Sequence, residues 1–209
     1  MLPGTASASA VIKNQSKTVD EISPGSIVKS SPIVADLDSD GVKEIYFGSD
    51  NEALHGYNSF GEEIDGFPFQ STDRVRSSPA VGDVDNDGQM EIVFGNSSGK
   101  LYIVNHDGSR QLAYTLLGFV ESTPALVDID GDQDLEIFFT TTTTSGGKLY
   151  AIHHNGITMS GFPKELGSMW TGPAVHDIDN DGAYDIVCTT YDKEIYAVDK
   201  DTHPYQQSL

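Results

Sequence analysis

Ser31-Pro32-Ile33-Val34-Ala35-Asp36-Leu37-Asp38-Ser39-Asp40-Gly41-Val42-Lys43-Glu44-Ile45 decides the fold, because it returns three more times. The later copies run from Ser78 to Ile92, from Thr123 to Ile137 and from Gly172 to Ile186. Their first aspartates, Asp36, Asp83, Asp128 and Asp177, are 47, 45 and 49 residues apart. Self-similarity at such a period marks a repeat architecture, each copy being one supersecondary unit. Each unit reads as four short strands. Strand A is the apolar run before the aspartates, such as Ser78-Pro79-Ala80-Val81. Strand B follows them, as in Glu91-Ile92-Val93-Phe94, and strand C follows a short turn, as in Leu101-Tyr102-Ile103-Val104. Alternation and β-branched or aromatic content support the strand reading. A further turn, ending at Gly61, Gly108 or Gly156, leads to strand D. Four-stranded units of 40 to 50 residues in line predict the blades of a β-propeller.

The expected fold is therefore all-β, a propeller of four blades over about residues 29–75, 76–120, 121–169 and 170–209, with 1–28 as an N-terminal tail. Proline at the start of strand A, flanked by small residues, suits an innermost strand where blades converge. The fourth copy keeps only His203 to Leu209 for its strand D. The stretch from Ala10 to Ile22 is a candidate outer strand that would close a four-bladed ring and leave no open edge. The alternative is an arc of a larger propeller, completed by a partner, by further sequence or by a second copy.

Between strands A and B every unit carries alternating acids: Asp36, Asp38, Asp40 and Glu44; Asp83, Asp85, Asp87 and Glu91; Asp128, Asp130, Asp132 and Glu136, with Asp134; and Asp177, Asp179, Asp181 and Asp185. These are 17 of the 32 acidic residues of the chain. Two carboxylates about 5 Å apart repel by about 3 kcal/mol at an effective dielectric near 20. Four such clusters without counter-charge would rival the whole stability of a domain. Calcium wants six to eight oxygens in a flexible shell. Positions 1, 3, 5 and 9 of each loop supply side chains, and the carbonyl of position 7 (Val42, Gln89, Asp134 or Ala183) adds another. Up to four Ca²⁺ ions are expected. The third loop is the irregular one, with Gln133 where the others have Gly41, Gly88 and Gly182. An EF-hand is excluded by position 12, which is Phe47, Phe94, Phe139 or Cys188 rather than a bidentate glutamate.

The loop Asp-x-Asp-x-Asp-Gly-x-x-[Asp/Glu]-Ile, preceded by Ser-Pro-[Ala/Ile]-Val and followed by Phe47-Gly48 or Phe94-Gly95, resembles the FG-GAP/VCBS repeat. That repeat builds the calcium-bearing propellers of integrin α chains and of many secreted bacterial proteins and lectins. The resemblance covers roughly residues 29 to 200 and implies calcium in the A–B loops and a role in recognition or adhesion, outside the cell or at its surface, with a protein or carbohydrate ligand; the alternatives are a propeller module of a polysaccharide-acting enzyme and an assembly module that completes a ring by oligomerising. Integrin-type propellers usually have seven blades, which bears on how this one is completed.

Composition narrows the partners. A formal net charge of −20 argues against binding a nucleic-acid polyanion. It argues equally against an anionic membrane surface, and no apolar run reaches the about 20 residues of a membrane span. The one cysteine, Cys188, excludes an internal disulfide framework and reads as a small buried hydrophobe on strand B. Gly95 to Gly99 matches Gly-x-Ser-x-Gly but joins two strands, whereas a nucleophile elbow needs a strand-to-helix turn. His153, His154 and His176 fit no His-Glu-x-x-His zinc pattern. The blade entrances carry the varied set Lys29, Arg76, Glu121 and Trp170 on the side opposite the acidic loops. With the B–C turns, Tyr191 included, they form the expected ligand surface, since a rigid scaffold fixes loops whose chemistry is free to vary.

Overall fold

The computed structural model describes residues 24–199 and 205–206. Four antiparallel four-stranded sheets follow one another along the chain. The first holds β1 (Ile33–Ala35), β2 (Glu44–Ser49), β3 (Ala53–Tyr57) and β4 (Phe69–Gln70). The second holds β5 (Ala80–Gly82), β6 (Glu91–Gly95), β7 (Lys100–Asn105) and β8 (Arg110–Thr115). The third holds β9 (Ala125–Val127), β10 (Glu136–Thr143), β11 (Gly146–Ile152) and β12 (Lys164–Glu165). The fourth holds β13 (Ala174–His176), β14 (Asp185–Thr189), β15 (Ile195–Asp199) and β16 (Tyr205–Gln206). Each sheet is a simple meander with neighbours in sequence order, and there is no helix among the described residues. The expected all-β blade architecture is thus observed, and β1, β5, β9 and β13 are the innermost strands, meeting pairwise in that order.

Strand periodicity explains the packing. Successive side chains of a strand point to opposite faces, so each blade offers one apolar set to the blade before and another to the blade after. Tyr46 and Leu54 of blade 1 pack with Ile92, Phe94, Tyr102 and Val104 of blade 2. Val93, Leu101 and Ile103 of blade 2 pack with Ile137, Phe139 and Ile152 of blade 3. Phe138, Leu149 and Ala151 of blade 3 pack with Ile186, Cys188, Tyr196 and Val198 of blade 4. Four blades therefore share three cores. Among the described residues no core joins blade 4 to blade 1, and β13 and β1 do not meet.

The outer place in the fourth sheet is filled by the chain's own β16, which pairs with β15 through Tyr196↔Gln206 and Ala197↔Tyr205. Residues 10 to 22, expected there as a ring-closing strand, lie outside the described residues. Thr140 to Thr143 form the end of β10, which is clasped across the blade boundary: Phe119 N donates to Thr142 O at 2.8 Å and Thr142 N to Phe119 O at 3.0 Å.

The Phe-Gly pairs have a steric cause. A Cβ on Gly48 would lie 2.3 Å from the Val75 side chain and 2.5 Å from its carbonyl oxygen; on Gly95 it would lie 2.3 Å from both in Val120. The linker entering the next blade runs against these glycines. Beside Gly48, Ser30 Oγ donates to Gly48 O (3.0 Å) and accepts from Gly48 N (2.7 Å), which ties strand A to strand B beyond their short ladder. Ser122 does the same to Thr140 in blade 3.

Candidate metal centres

The four A–B loops share one hydrogen-bond scheme, because Asp side chains readily accept from backbone N–H groups two residues on. The first aspartate of each loop accepts from the N–H of position 6: Asp36 from Gly41 (3.0 Å), Asp83 from Gly88 (2.9 Å), Asp128 from Gln133 (3.2 Å) and Asp177 from Gly182 (3.0 Å). Position 5 accepts from position 7 in the same way: Asp40 from Val42, Asp87 from Gln89, Asp132 from Asp134 and Asp181 from Ala183, at 2.7–3.0 Å. Position 3 holds the N–H of position 5, as Asp38 does for Asp40 at 3.1 Å. The loop trace needs left-handed backbone at positions 4 and 6. Gly41, Gly88 and Gly182 supply the second at φ of 87°, 91° and 92°, and Gln133 adopts 80° at the same point. In that loop Gly131 has moved to position 4, where the others have Ser39, Asn86 and Asn180.

The acid at position 9 opens strand B and turns back into the loop. One oxygen accepts the N–H of position 2: Glu44 from Leu37 (3.3 Å), Glu91 from Val84 (2.9 Å), Glu136 from Ile129 (3.0 Å) and Asp185 from Ile178 (3.0 Å). The three glutamates are buried. Burial pushes the Glu91 carboxyl up to about 7, against the pull of the Val84 N–H, and raises Glu44 and Glu136 as well.

These contacts leave oxygens of several acids converging within each loop. Ligand atoms of Asp36, Asp38 and Asp40 lie within 4.8 Å of one another, as do those of Asp83, Asp85 and Glu91, of Asp128, Asp130 and Asp132, and of Asp177, Asp179 and Asp185. In the first loop Asp36 Oδ1 is buried and has no hydrogen-bond partner. A buried carboxylate oxygen without a partner is costly, and a hard cation removes that cost. The all-oxygen donor sets fit calcium. Beside the second loop, Asp85, Asp87, Gln89 and Glu91 share an open depression of about 350 Å³ with Asn105, His106, Asp107 and Gln111. Gln111 donates to Asp85 Oδ2 at 2.7 Å, a participant from strand D that the repeat pattern does not reveal.

At the opposite end of the blades the expected ligand residues divide. Arg76 forms a two-pronged ion pair with Asp50 (Nε–Oδ1 2.7 Å, Nη2–Oδ2 2.9 Å), and its Nη1 stands 3.9 Å from Glu121. The Arg76 hydrogen bond is the main reason the Asp50 carboxyl lies below the usual range. The pair bridges blades 1 and 2 and faces blade 3. Lys29 is exposed at the entrance to blade 1. Trp170 and Tyr191 are 49% and 77% exposed. The same end holds a cavity of about 490 Å³ lined by Leu117, Thr143, Ser145, Lys148, Tyr150 and Glu165. Thr141, also on its wall, has a buried Oγ1 without a partner.

A family model described as FG-GAP-like repeat matches residues 36–94, 83–139 and 128–188. No curated protein matches the sequence. Among solved structures, BBS1N in complex with ARL6DN is similar at a TM-score of 0.61 and 12% identity, over 88% of this chain and 56% of that one. BamB from Moraxella catarrhalis is similar at 0.55 and 16%, over 75% of this chain and 42% of that one. The V. cholerae biofilm matrix protein Bap1 is similar at 0.50 and 19%, over 87% and 39%. The chain thus spans a little over half of the first of these and about four tenths of the others. At these identities the likeness concerns the fold.

Proposed function

Since the chain belongs to the FG-GAP-like repeat family, we propose that it is a calcium-binding propeller module for recognition or adhesion outside the cell or at its surface. The observation that carries this is the fourfold recurrence of one acidic loop, with Asp36 Oδ1 left buried and unpaired in the first copy. The side chains at positions 1, 3, 5 and 9 and the carbonyls of Val42, Gln89, Asp134 and Ala183 would form the calcium shells. The ions are structural. They neutralise the loops and fix the turn from strand A into strand B, while the opposite end of the blades presents the ligand surface.

That surface is the entrance and B–C end: Lys29, Arg76, Glu121, Trp170, Tyr191 and the neighbouring cavity. Exposed aromatic rings beside charged groups suit a protein or glycan ligand. The BBS1N complex with ARL6DN, a propeller neighbour seen with a protein partner, supports the protein reading.

Calcium removal tests the proposal. A ligand that binds only the folded state stabilises it by about 2.7 kcal/mol at a hundredfold excess over Kd. Thermal melts should therefore fall by several degrees in chelator and recover with added Ca²⁺, and elemental analysis should find up to four Ca²⁺ per chain. Identical melts with and without chelator, in protein free of bound divalent metal, would overturn it.

A further inference from the structure

The third loop differs from its relatives in one contact. In blades 1, 2 and 4 the position-9 acid holds a backbone N–H with one oxygen. In blade 3 the second oxygen of Glu136 is met by a histidine: His153 Nδ1 lies 2.9 Å from Glu136 Oε1. The Glu136 side chain is fully buried and His153 is partly exposed. Asp130 joins them, with ligand atoms of Asp130, Glu136 and His153 all within 4.8 Å of one another.

His153 occupies the register of Asn58 in blade 1 and Asn105 in blade 2, just after strand C. Those asparagines serve their own turns. Asn58 Oδ1 accepts from Phe60 N (2.9 Å) and Glu62 N (3.0 Å), and Asn105 Nδ2 donates to Ser109 Oγ (2.9 Å). In blade 3 Asn155 accepts from Ile157 N at 3.0 Å, as Asp107 does from Ser109 N at 2.8 Å in blade 2, and the His153 ring is turned to Glu136. Its neighbour His154 also faces the loop, with Nδ1 buried and 2.9 Å from Asp134 Oδ2 but without the alignment of a hydrogen bond.

We propose that blade 3 carries a mixed imidazole–carboxylate site for a divalent ion that accepts nitrogen, Zn²⁺ foremost, held by His153 Nδ1, Glu136 Oε1 and Asp130. Calcium and magnesium favour oxygen throughout, whereas imidazole suits zinc and its first-row neighbours. Zinc takes histidine nitrogen and carboxylate oxygen at about 2.0–2.2 Å, so two such ligands on one tetrahedral ion stand about 3.3 Å apart. The 2.9 Å separation of Nδ1 and Oε1 needs only a small opening. The Ile129 N–H on Glu136 Oε2 supplies the outer contact that orients a ligating carboxylate. Water completes the shell. Asp130 also belongs to the Asp128–Asp130–Asp132 group, so zinc and calcium in this loop share a ligand or exclude one another.

This site goes beyond the calcium reading and fails separately from it. The experiment titrates Zn²⁺ into the full, metal-stripped chain in millimolar Ca²⁺, with metal content read by elemental analysis and with Co²⁺ as a spectroscopic probe. One equivalent of Zn²⁺ should bind, and Co²⁺ should show a nitrogen-ligated visible band. His153→Asn, which restores the residue of blades 1 and 2, should weaken Zn²⁺ more than about tenfold while leaving calcium at the other loops and the melting temperature in Ca²⁺ unchanged. His154→Asn should retain the zinc site. No zinc above background in the native chain, or equal zinc in native and His153→Asn protein, would overturn the proposal whatever the calcium result.

Discussion

At the scale of single residues, the sequence showed the acids and hid their partners. Asp36, Asp83, Asp128 and Asp177 are visible because they recur, and the structure finds all four holding the same N–H. His153 recurs nowhere, so a pattern search passes over it; its contact with Glu136 is set by the pairing of strands B and C. Ser30 and Ser122 were equally silent, since a hydroxyl that bridges two strands looks in sequence like any small residue. The glycine of the Phe-Gly pair was legible as a motif, but its reason is a backbone oxygen two and a half ångströms or less from where a Cβ would sit. Gly95→Ala should therefore destabilise the chain by about 1–3 kcal/mol through overpacking. Denaturant unfolding measures this, and an unchanged midpoint would show that the Val120 linker yields freely.

At the scale of elements, the A–B loop is a pre-shaped turn whose charge opposes its geometry. Its backbone is held by aspartate oxygens, yet its glutamates sit in poorly solvated positions. In metal-free protein the folded-state value for Glu91, about 7, stands above its ordinary 4.5. The sign follows directly: the folded state binds that proton more tightly, so the contribution is complete below about pH 4.5 and is lost as pH rises through 7. Glu44 and Glu136 shift the same way. Melts in chelator should thus fall between pH 4.5 and 7, while melts in saturating Ca²⁺, which needs the ionised carboxylates, should hold level or rise. Parallel curves in the two buffers would count against metal in these loops. Strand existence and order were readable from alternation. The length of β10 was not, because its last threonines are fixed by a bridge to Phe119 in the preceding blade, a contact between units that no single repeat encodes.

At the scale of the whole molecule, blade number was legible from the period, and closure was not. Closure depends on whether the two end faces meet, and repeat spacing carries no information about that. Among the described residues four blades share three cores, and the stretch expected to close the ring lies outside them. The structure places Trp170 and Tyr191 toward solvent at the end away from the acidic loops, while Arg76 is engaged with Asp50. Trp170→Ala should weaken capture of a ligand found by protein or glycan screening, with no change in the calcium-dependent melt; full retention of binding would move the ligand surface elsewhere.

Because each blade shares a core only with its neighbours along the chain, the described fold has no long-range tie to hold its ends together. Stretched from its termini, such a molecule should come apart like a row of links, peeling from whichever flank is weaker and yielding a train of similar force peaks instead of a single rupture.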